Sequence, residues 1–404
     1  MSMRSGCLRC VAALWPLIFL LSCGGSSGKS AFLYLVSQGT APGTVSAYSL
    51  SLKNGTLGSN NGALTEIGKG ASAGTQPTAL LFDPTQTFAY VANTGSDDIS
   101  TFTINKDGSL ASAQASTPIA SATTKATRPV ALAIDPGGHF LFVANEGIFL
   151  NDRAQDIPGS VSIFSIGSGG ALTPVSGSPF VLQETSPPLP SSPNQPLPEA
   201  LAVSNQGNFL YVADRTNGSV VGFSFDATSG ALAPVPGQTF LAGNSPSAVL
   251  SPPAGNFLYV ANAGSSDIYE FSINADGSLS PITTAGTSTQ ITISTGVGPT
   301  ALLSDPNAKY LFALANQGSQ ITGYTMNHVT GLLTAVANAS VSTGANPVAF
   351  AIRSDGSTNG DFWLFTSNFG GNSVSTFKLT YSTGALNPLP QLTAPLAPYG
   401  IGLR

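Results

Sequence analysis

Charged residues are scarce in this chain. Its 404 residues include 14 Lys and Arg and 19 Asp and Glu, and charged residues make up 8% of the total, against about 25% in typical soluble domains. The few basic residues are scattered, whereas binding to nucleic acid needs a basic stripe that displaces counterions. We therefore expect no nucleic-acid partner.

Cysteine and histidine are also rare, with three Cys and two His in the whole chain. Cys7 and Cys10 fall in an N-terminal segment that we expect to be removed, which leaves only Cys23. A disulfide, a cysteine-ligated metal and a thiol nucleophile are then excluded. No His-rich metal cluster, phosphate loop or Gly-x-Ser-x-Gly turn occurs either, so we expect neither a metal nor a cofactor.

The apolar run near the N-terminus is too short to span a bilayer. It covers eleven residues, from Val11 to Leu21, against roughly 20 needed. Arg4 and Arg9 precede it, and Ser22-Cys23-Gly24 follows it. This layout resembles the signal peptide and lipid-attachment box of a bacterial lipoprotein.

The lipoprotein resemblance implies three segments. Residues 1–22 would be a cleaved signal peptide, residues 23–30 a tether diacylated at Cys23, and residues 31–404 the folded body. Two acyl chains hold a protein stably at a membrane. We therefore expect an exported protein of the cell envelope, at the periplasmic side or the cell surface, and Gly24 in place of Asp favours the outer membrane.

Glycine and proline are abundant, with 45 and 29 residues. Such a composition can indicate disorder, but 42% of the chain is hydrophobic and recurs as alternating β-branched and aromatic segments. Those segments can bury a large core. The glycines and prolines are therefore expected in tight turns between strands.

One sequence unit recurs along the chain. Its clearest copy runs from Pro77 to Leu110 and contains Tyr-Val-Ala-Asn, an Asn-x-Gly turn and Asp-Gly-Ser-Leu. Further copies open at Pro129, Pro198, Pro246, Pro299 and Pro347, with spacings of 52, 69, 48, 53 and 48 residues. Each copy predicts four strands, and four strands at a period of about 50 residues are typical of a propeller blade.

A seventh unit is divided between the two ends of the chain. Phe32 to Val36 and Val45 to Leu50 lack a leading strand, and Pro398 to Leu403 matches that missing strand. Pairing the two removes the exposed sheet edges of an open array. The hairpins give the same count, since a Gly precedes a Leu by two residues at Gly55, Gly108, Gly170, Gly230, Gly277, Gly331 and Gly384.

The sequence thus predicts an all-β, seven-bladed β-propeller with four-stranded antiparallel blades, closed by the C-terminal strand joining the N-terminal blade. A string of sandwich domains would need linkers, and no linker composition separates the units. A helical solenoid is excluded because no 3.6-residue apolar periodicity follows the leader.

These motifs resemble two groups of seven-bladed propellers. One is the lactonase family, which includes 6-phosphogluconolactonase and carboxymuconate-lactonising cycloisomerase, and the other is the group of surface proteins with Tyr-Val-Thr-Asn repeats, usually binding modules. The resemblance covers residues 31–404 and rests on turn and strand motifs, which transfer fold better than activity.

Lactonases typically carry Pro-Arg-His at the start of a blade and Asn-Glu after its second strand. Asn145-Glu146 matches the second motif, but Pro129 is followed by Val-Ala, and no other blade has the Arg and His. His139 and His328 lie in predicted turns away from the site, so we expect both to be solvated.

The loops after the second strands are expected to gather around one mouth of the channel. A polar residue begins each loop: Ser37, Asn93, Asn145, Asp214, Asn262, Asn316 and Asn368. Their repetition favours a structural Asx turn, and ligand binding by the Asn and Asp side chains is the alternative.

The residues that follow these positions break the repeat. Only Glu146 and Arg215 are charged among Gln38, Thr94, Glu146, Arg215, Ala263, Gln317 and Phe369. They lie at equivalent places on neighbouring blades, so they could face each other. In a lactonase, Glu146 would be the general base, and Arg215 with Arg128 would hold an anionic group and stabilise the oxyanion.

Two insertions lengthen the same unit, Gly147 to Ser160 and Glu184 to Pro198. They could form a lid, or they could be surface decoration. The sequence leaves two hypotheses. The first is a tethered module that binds an envelope protein or a small molecule at the mouth without efficient catalysis, and the second is a divergent lactonase.

Overall fold

The computed structural model describes residues 31–50, 52–53, 56–57, 65–111, 114–148, 156–182, 195–283 and 289–404. The predicted signal peptide, the tether with Cys23, the turn residues 54–55, half of the first insertion and most of the second lie outside these ranges. No helix in the described ranges is long and apolar enough to cross a membrane.

The described chain forms seven antiparallel blades, which confirms the predicted all-β propeller. We number the blades in chain order, so that blade 1 contains Ala31–Ser37, the strand nearest the N-terminus of the described chain. Within each blade we number the strands from the inside outward, and the first strand is the innermost one. In blade 1 the innermost strand comes from the C-terminus, and Ala31–Ser37 is the second strand.

The first strands of blades 2 to 7, followed by that of blade 1, are Pro77–Phe82, Pro129–Ile134, Pro198–Val203, Pro246–Leu250, Pro299–Ser304, Pro347–Ser354 and Pro398–Leu403. The second strands of blades 1 to 7 are Ala31–Ser37, Phe88–Asn93, Phe140–Asn145, Phe209–Asp214, Phe257–Asn262, Tyr310–Ala315 and Phe362–Asn368. The third strands are Thr44–Leu50, Asp98–Thr103, Ser160–Ile166, Ser219–Phe225, Asp267–Ile273, Gln320–Met326 and Ser373–Thr380.

The fourth strands are continuous in three blades and short or split in the others. They are Thr65–Glu66 with Ala71–Ser72, Thr117–Pro118, Leu172–Pro174 with Phe180–Val181, Leu232–Leu241, Leu279–Pro281 with Thr292–Ser294, Leu333–Ser342 and Ala385–Thr393. A small hairpin, Leu52–Lys53 with Thr56–Leu57, and a 3₁₀ turn, Ser168–Gly170, complete the elements.

The ring closes at blade 1 as the sequence predicts. The C-terminal strand pairs antiparallel with Ala31–Ser37, with Leu33 opposite Leu403 and Leu35 opposite Ile401. The N–H groups of Phe32 and Arg404 each donate to the other residue's carbonyl at 3.0 Å. The two ends of the chain therefore build one blade.

Neighbouring blades pack face to face, so the second strands are buried on both sides. In blade 1, Leu33 and Leu35 pack against blade 7, while Tyr34 and Val36 pack against blade 2. Side chains alternate between the faces of a strand, and here each face meets a blade. This double burial explains the nearly continuous apolar runs that the sequence shows.

A tyrosine in several second strands reaches the next blade's hairpin. The hydroxyl of Tyr211 donates to the carbonyl of Gly277 at 2.8 Å, and that of Tyr259 donates to Gly331 at 2.7 Å. Gly277 has a φ of +83°, and a Cβ there would overlap the ring of Phe209. The repeated hairpin glycine is thus needed both for the turn and for contact between blades.

Candidate functional site

Two positions of the repeat lie at the same end of the ring, which we call the mouth. The first follows the second strand, where the N–H of Glu146 donates to Arg128 O at 2.9 Å and that of Arg215 to Leu197 O at 3.0 Å. The second follows the proline that opens the first strand, at a shift in strand register in every blade. Such bulges change the direction of a side chain.

Four charged side chains of blades 3 and 4 form one cluster at the mouth. Glu146 accepts from Arg128 Nε at 2.8 Å through one oxygen and from Arg215 Nη2 at 2.6 Å through the other. Nε of Arg215 also lies 3.4 Å from a carboxylate oxygen of Glu199. The structure therefore brings together the three residues that the sequence singled out and adds Glu199.

Exposure within the cluster differs between the arginines and the carboxylates. The side chains of Arg128 and Arg215 are 45% and 40% exposed, whereas those of Glu199 and Glu146 are 32% and 13% exposed. An arginine carries five N–H donors, so both guanidinium groups can still donate to a ligand. Glu146 instead lies between them with both oxygens engaged.

Glu199 differs electrostatically from an exposed glutamate. Burial raises the pKa of its carboxyl group, and the negative charge of Glu146 adds to this, while Arg215 and Arg128 oppose it. Raising a carboxyl pKa makes the carboxylate a stronger proton acceptor. Glu199 is therefore a better proton acceptor than an exposed glutamate.

An aromatic pair from blades 7 and 1 also belongs to the mouth. Phe369 follows a second strand as Glu146 does, and Tyr399 follows an opening proline as Glu199 does. Their rings meet edge to face, 5.7 Å between centroids, and Phe369 is 36% exposed. Burial raises the pKa of the Tyr399 hydroxyl, and the negative charges of Glu199 and Glu146 raise it further.

In blades 1, 2 and 5, a side chain at one of these two positions forms a hydrogen bond to the next blade. Thr94 Oγ1 donates to Pro129 O at 2.6 Å, Ser247 Oγ donates to Pro299 O at 2.6 Å, and Gln38 Nε2 donates to Pro77 O at 2.9 Å. Each bond joins one blade to the next. Blades 3 and 4, with their charges, depart from this structural use.

The asparagines at the ends of the second strands do not offer their side chains to a ligand. Asn93, Asn145, Asp214, Asn262 and Asn368 are fully buried. Asn93, for example, accepts from Gly74 N at 3.1 Å and donates to Asp98 at 2.7 Å and Ser100 at 2.9 Å. The ligand-binding role suggested for these residues does not fit this geometry, and the structural role does.

Asn316 does not occupy the position predicted for it. In blade 6, Ala315 pairs with Pro299, as Asn93 pairs with Pro77 in blade 2. Asn316 is therefore equivalent to Thr94, and like Thr94 it bonds to the next blade, from Nδ2 to Pro347 O at 3.0 Å. Gln317, which the sequence placed at the mouth position, lies one residue further along the loop.

Neither histidine belongs to the mouth. His139 precedes the second strand Phe140–Asn145, whose far end leads to Glu146 about 20 Å away at the usual rise per residue. His328 lies in the exposed hairpin after Gln320–Met326, at the end of blade 6 opposite the mouth. Within the described ranges, no three His, Cys, Asp or Glu side chains gather as a metal site would require.

The first insertion begins directly beside the cluster. Ile148 and Ile157 exchange two backbone hydrogen bonds of 2.9 Å, which tie its two ends together. Gly147, with a φ of +80°, turns the chain between Glu146 and this bridge. The base of the insertion therefore adjoins Glu146, as its position in the sequence indicates.

Comparison with known families identifies the architecture. The sequence model of the family of seven-bladed β-propeller lactonases matches residues 26–117 and 111–397. The chain belongs to this lactonase family. A search of curated proteins finds no match.

Solved structures of lactonase-type propellers superpose along nearly the whole chain. A candidate 6-phosphogluconolactonase from Bacteroides fragilis is 19% identical, with a TM-score of 0.73 over 94% of this chain and 99% of its own. A periplasmic gluconolactonase from Pseudomonas aeruginosa is 18% identical, with a TM-score of 0.70 over 93% and 99%. A candidate 6-phosphogluconolactonase from Bacteroides uniformis is 19% identical, with a TM-score of 0.72 over 93% and 99%. At this identity the likeness establishes the shared fold.

Proposed function

We propose that this propeller binds a small ligand of the sugar-lactone or sugar-acid class at the mouth, without efficient catalysis. One observation carries the proposal: the charged residues of blades 3 and 4 occupy repeat positions that are neutral in every other blade, and they converge on one cluster. Family membership and the names of the structural neighbours support the ligand class.

The residues that lactonases use for catalysis are largely missing. Both oxygens of Glu146 are already engaged, and both histidines lie away from the mouth. We therefore expect no hydrolysis of D-glucono-1,5-lactone or 6-phosphogluconolactone above the spontaneous rate, measured as acid release at constant pH. Hydrolysis that Glu146→Gln or Glu199→Gln abolishes would refute the non-catalytic role.

Binding itself is tested by calorimetric titration with D-glucono-1,5-lactam, a neutral ring that does not hydrolyse. Arg215→Gln should weaken binding by about tenfold, since a hydrogen bond to a charged group is worth about 1.5 kcal/mol or more. Lys106→Gln is the matched control, because it removes a positive charge from an exposed hairpin away from the mouth. Equal affinity in the two variants would contradict a site at the cluster.

Divergent lactone hydrolysis is the second candidate, and the environment of Glu199 favours it. Glu199 would take a proton from water as the water attacks the lactone carbonyl. Arg128 or Arg215 would stabilise the oxyanion, and the ring C–O bond would break as the leaving oxygen regains the proton. Glu199→Gln should then lower kcat more than it raises KM.

Export and lipidation remain proposals drawn from residues 1–30. They are supported by the charged N-terminus, the short apolar run and Cys23. Cys23→Ser should release the protein from the membrane fraction if Cys23 is the anchor. Unchanged fractionation would refute the anchor.

A further inference from the structure

The charges of the four side chains of the cluster balance one another, and Asp97, which accepts from Arg128 N at 2.6 Å, adds a negative charge beside them. Arg128 and Arg215 supply two positive charges, and Glu146 and Glu199 supply two negative ones, all in contact with at least one partner. The charged groups that act on Glu199 are the other three members of this cluster. A phosphate or carboxylate entering the mouth would therefore meet no net positive charge from the cluster.

The two sides of the mouth also differ in character. Blades 3 and 4 offer guanidinium donors and carboxylate acceptors, which suit ring hydroxyl groups. Blades 7 and 1 offer the partly exposed ring of Phe369 packed against Tyr399. A sugar ring has both kinds of surface, hydroxyl groups at its edge and apolar C–H groups on its faces.

From this arrangement we infer that the mouth selects a neutral, hydroxyl-bearing ring over a phosphorylated one, with Glu199 as the residue that sets the preference. The inference rests on the proposed binding function and narrows its ligand class. We assign the preference to Glu199 and not to Glu146 because Glu146 holds both arginines in place. Glu199 contacts only Arg215, at the longer distance of 3.4 Å. The Glu199 carboxylate supplies the second negative charge of the cluster, and this charge brings the net charge of the cluster to zero.

The inference predicts that a single change of charge removes the preference. Wild-type protein should bind D-glucono-1,5-lactam at least tenfold more tightly than glucose 6-phosphate in calorimetric titrations. Glu199→Gln keeps a polar side chain but leaves one positive charge in excess. It should tighten glucose 6-phosphate binding by about tenfold, because opposite charges a few ångströms apart near a protein surface attract by more than 1 kcal/mol. Its affinity for the lactam should fall by a smaller factor, because the amide oxygen of glutamine still accepts from a ring hydroxyl group.

A second variant changes the balance in the opposite direction. Arg128→Gln leaves one negative charge in excess and should weaken glucose 6-phosphate binding by a further tenfold. Because the Arg128 side chain is 45% exposed, this change does not disturb the core. Glu66→Gln, at an exposed position on the outer strand of blade 1, is the matched control and should preserve the wild-type ratio.

The outcomes separate the two levels of the proposal. Tighter binding of glucose 6-phosphate than of the lactam by wild-type protein overturns the neutral-ring preference but leaves a binding site. An unchanged ratio in both Glu199→Gln and Arg128→Gln overturns the role of charge balance. If neither ligand binds wild-type protein or either variant, the binding function itself fails, and the preference fails with it.

Discussion

Glu270 offers the sharpest test of the packing between blades. It lies in the third strand of blade 5, is fully buried, and accepts from Leu333 N of blade 6 at 3.2 Å through Oε1. Its Oε2 has no hydrogen-bond partner among the described residues. Burial therefore raises the pKa of Glu270 from 4.5 to about 7, and the hydrogen bond from Leu333 only partly opposes this.

A raised pKa makes the folded state bind its proton more tightly than the unfolded state does. The stabilisation is complete below pH 4.5 and is lost as the pH rises through 7. The shift corresponds to about 3 kcal/mol at about 1.4 kcal/mol for each pH unit. Glu270→Gln, which is neutral at every pH, should remove this dependence.

Urea unfolding of wild-type protein and Glu270→Gln between pH 5 and 9 measures the effect. The difference in the free energy of unfolding should move by about 2.5 kcal/mol in favour of the variant across this range, with most of the change below pH 7 and a plateau above it. Glu66→Gln, at an exposed site, should leave the pH profile unchanged. A constant difference between wild type and Glu270→Gln would show that the buried carboxyl does not titrate as its environment predicts.

Three further predictions concern the blade contacts and the mouth. Tyr259→Phe should lower the free energy of unfolding in urea by about 1–2 kcal/mol, because the carbonyl of Gly331 loses its donor. Tyr90→Phe should lower it by less, because the hydrogen bond of Tyr90 is longer, at 3.4 Å. Equal losses in the two variants would contradict this reasoning. Gly277→Ala should lower the free energy of unfolding by more than 2 kcal/mol, since φ is +83° and the new Cβ would overlap Phe209; a neutral effect would refute the close contact. Phe369→Ala should weaken binding of D-glucono-1,5-lactam by about fivefold, about 1 kcal/mol of lost apolar contact, in the same titration; unchanged affinity would remove Phe369 from the site.

The blade architecture could be predicted because it depends on local chemistry that repeats. Each unit contains the residues typical of its turns and of its doubly buried strand, and the closing strand from Pro398 matches the first strands of the other blades. Glu146 and Arg215 could be paired for the same reason, since equivalent positions on adjacent blades must lie close together.

Glu199 and Tyr399 were missed although the sequence carried a signal. Both follow an opening proline, where the other blades have Thr, Val or Ser, but comparison with the lactonase motif draws attention only to the absent Arg at this position. The bulge that places it at the mouth is not visible in strand periodicity. Tyr399 also reaches the cluster only through closure of the whole ring.

For the asparagines, the sequence leaves two roles open and favours the structural one. An Asn at the end of a strand can either bind a ligand or form an Asx-type turn. Only the burial of Asn93 and its hydrogen-bond partners in the structure distinguish these two roles. The repeat pattern aligns Asn316 with the asparagines of the other blades, whereas strand pairing puts Ala315 at the equivalent position. A shift of one residue in a strand reverses the direction of the side chain.

A crystal structure of the protein soaked with D-glucono-1,5-lactam tests the central claim most directly. We predict density for the ring at the mouth, with hydroxyl groups in contact with Glu199 and Arg215 and a ring face against Phe369. A ligand bound instead in the cleft between blades 4 and 5 on the opposite face, beside Ser204 and Asn256, would contradict this account.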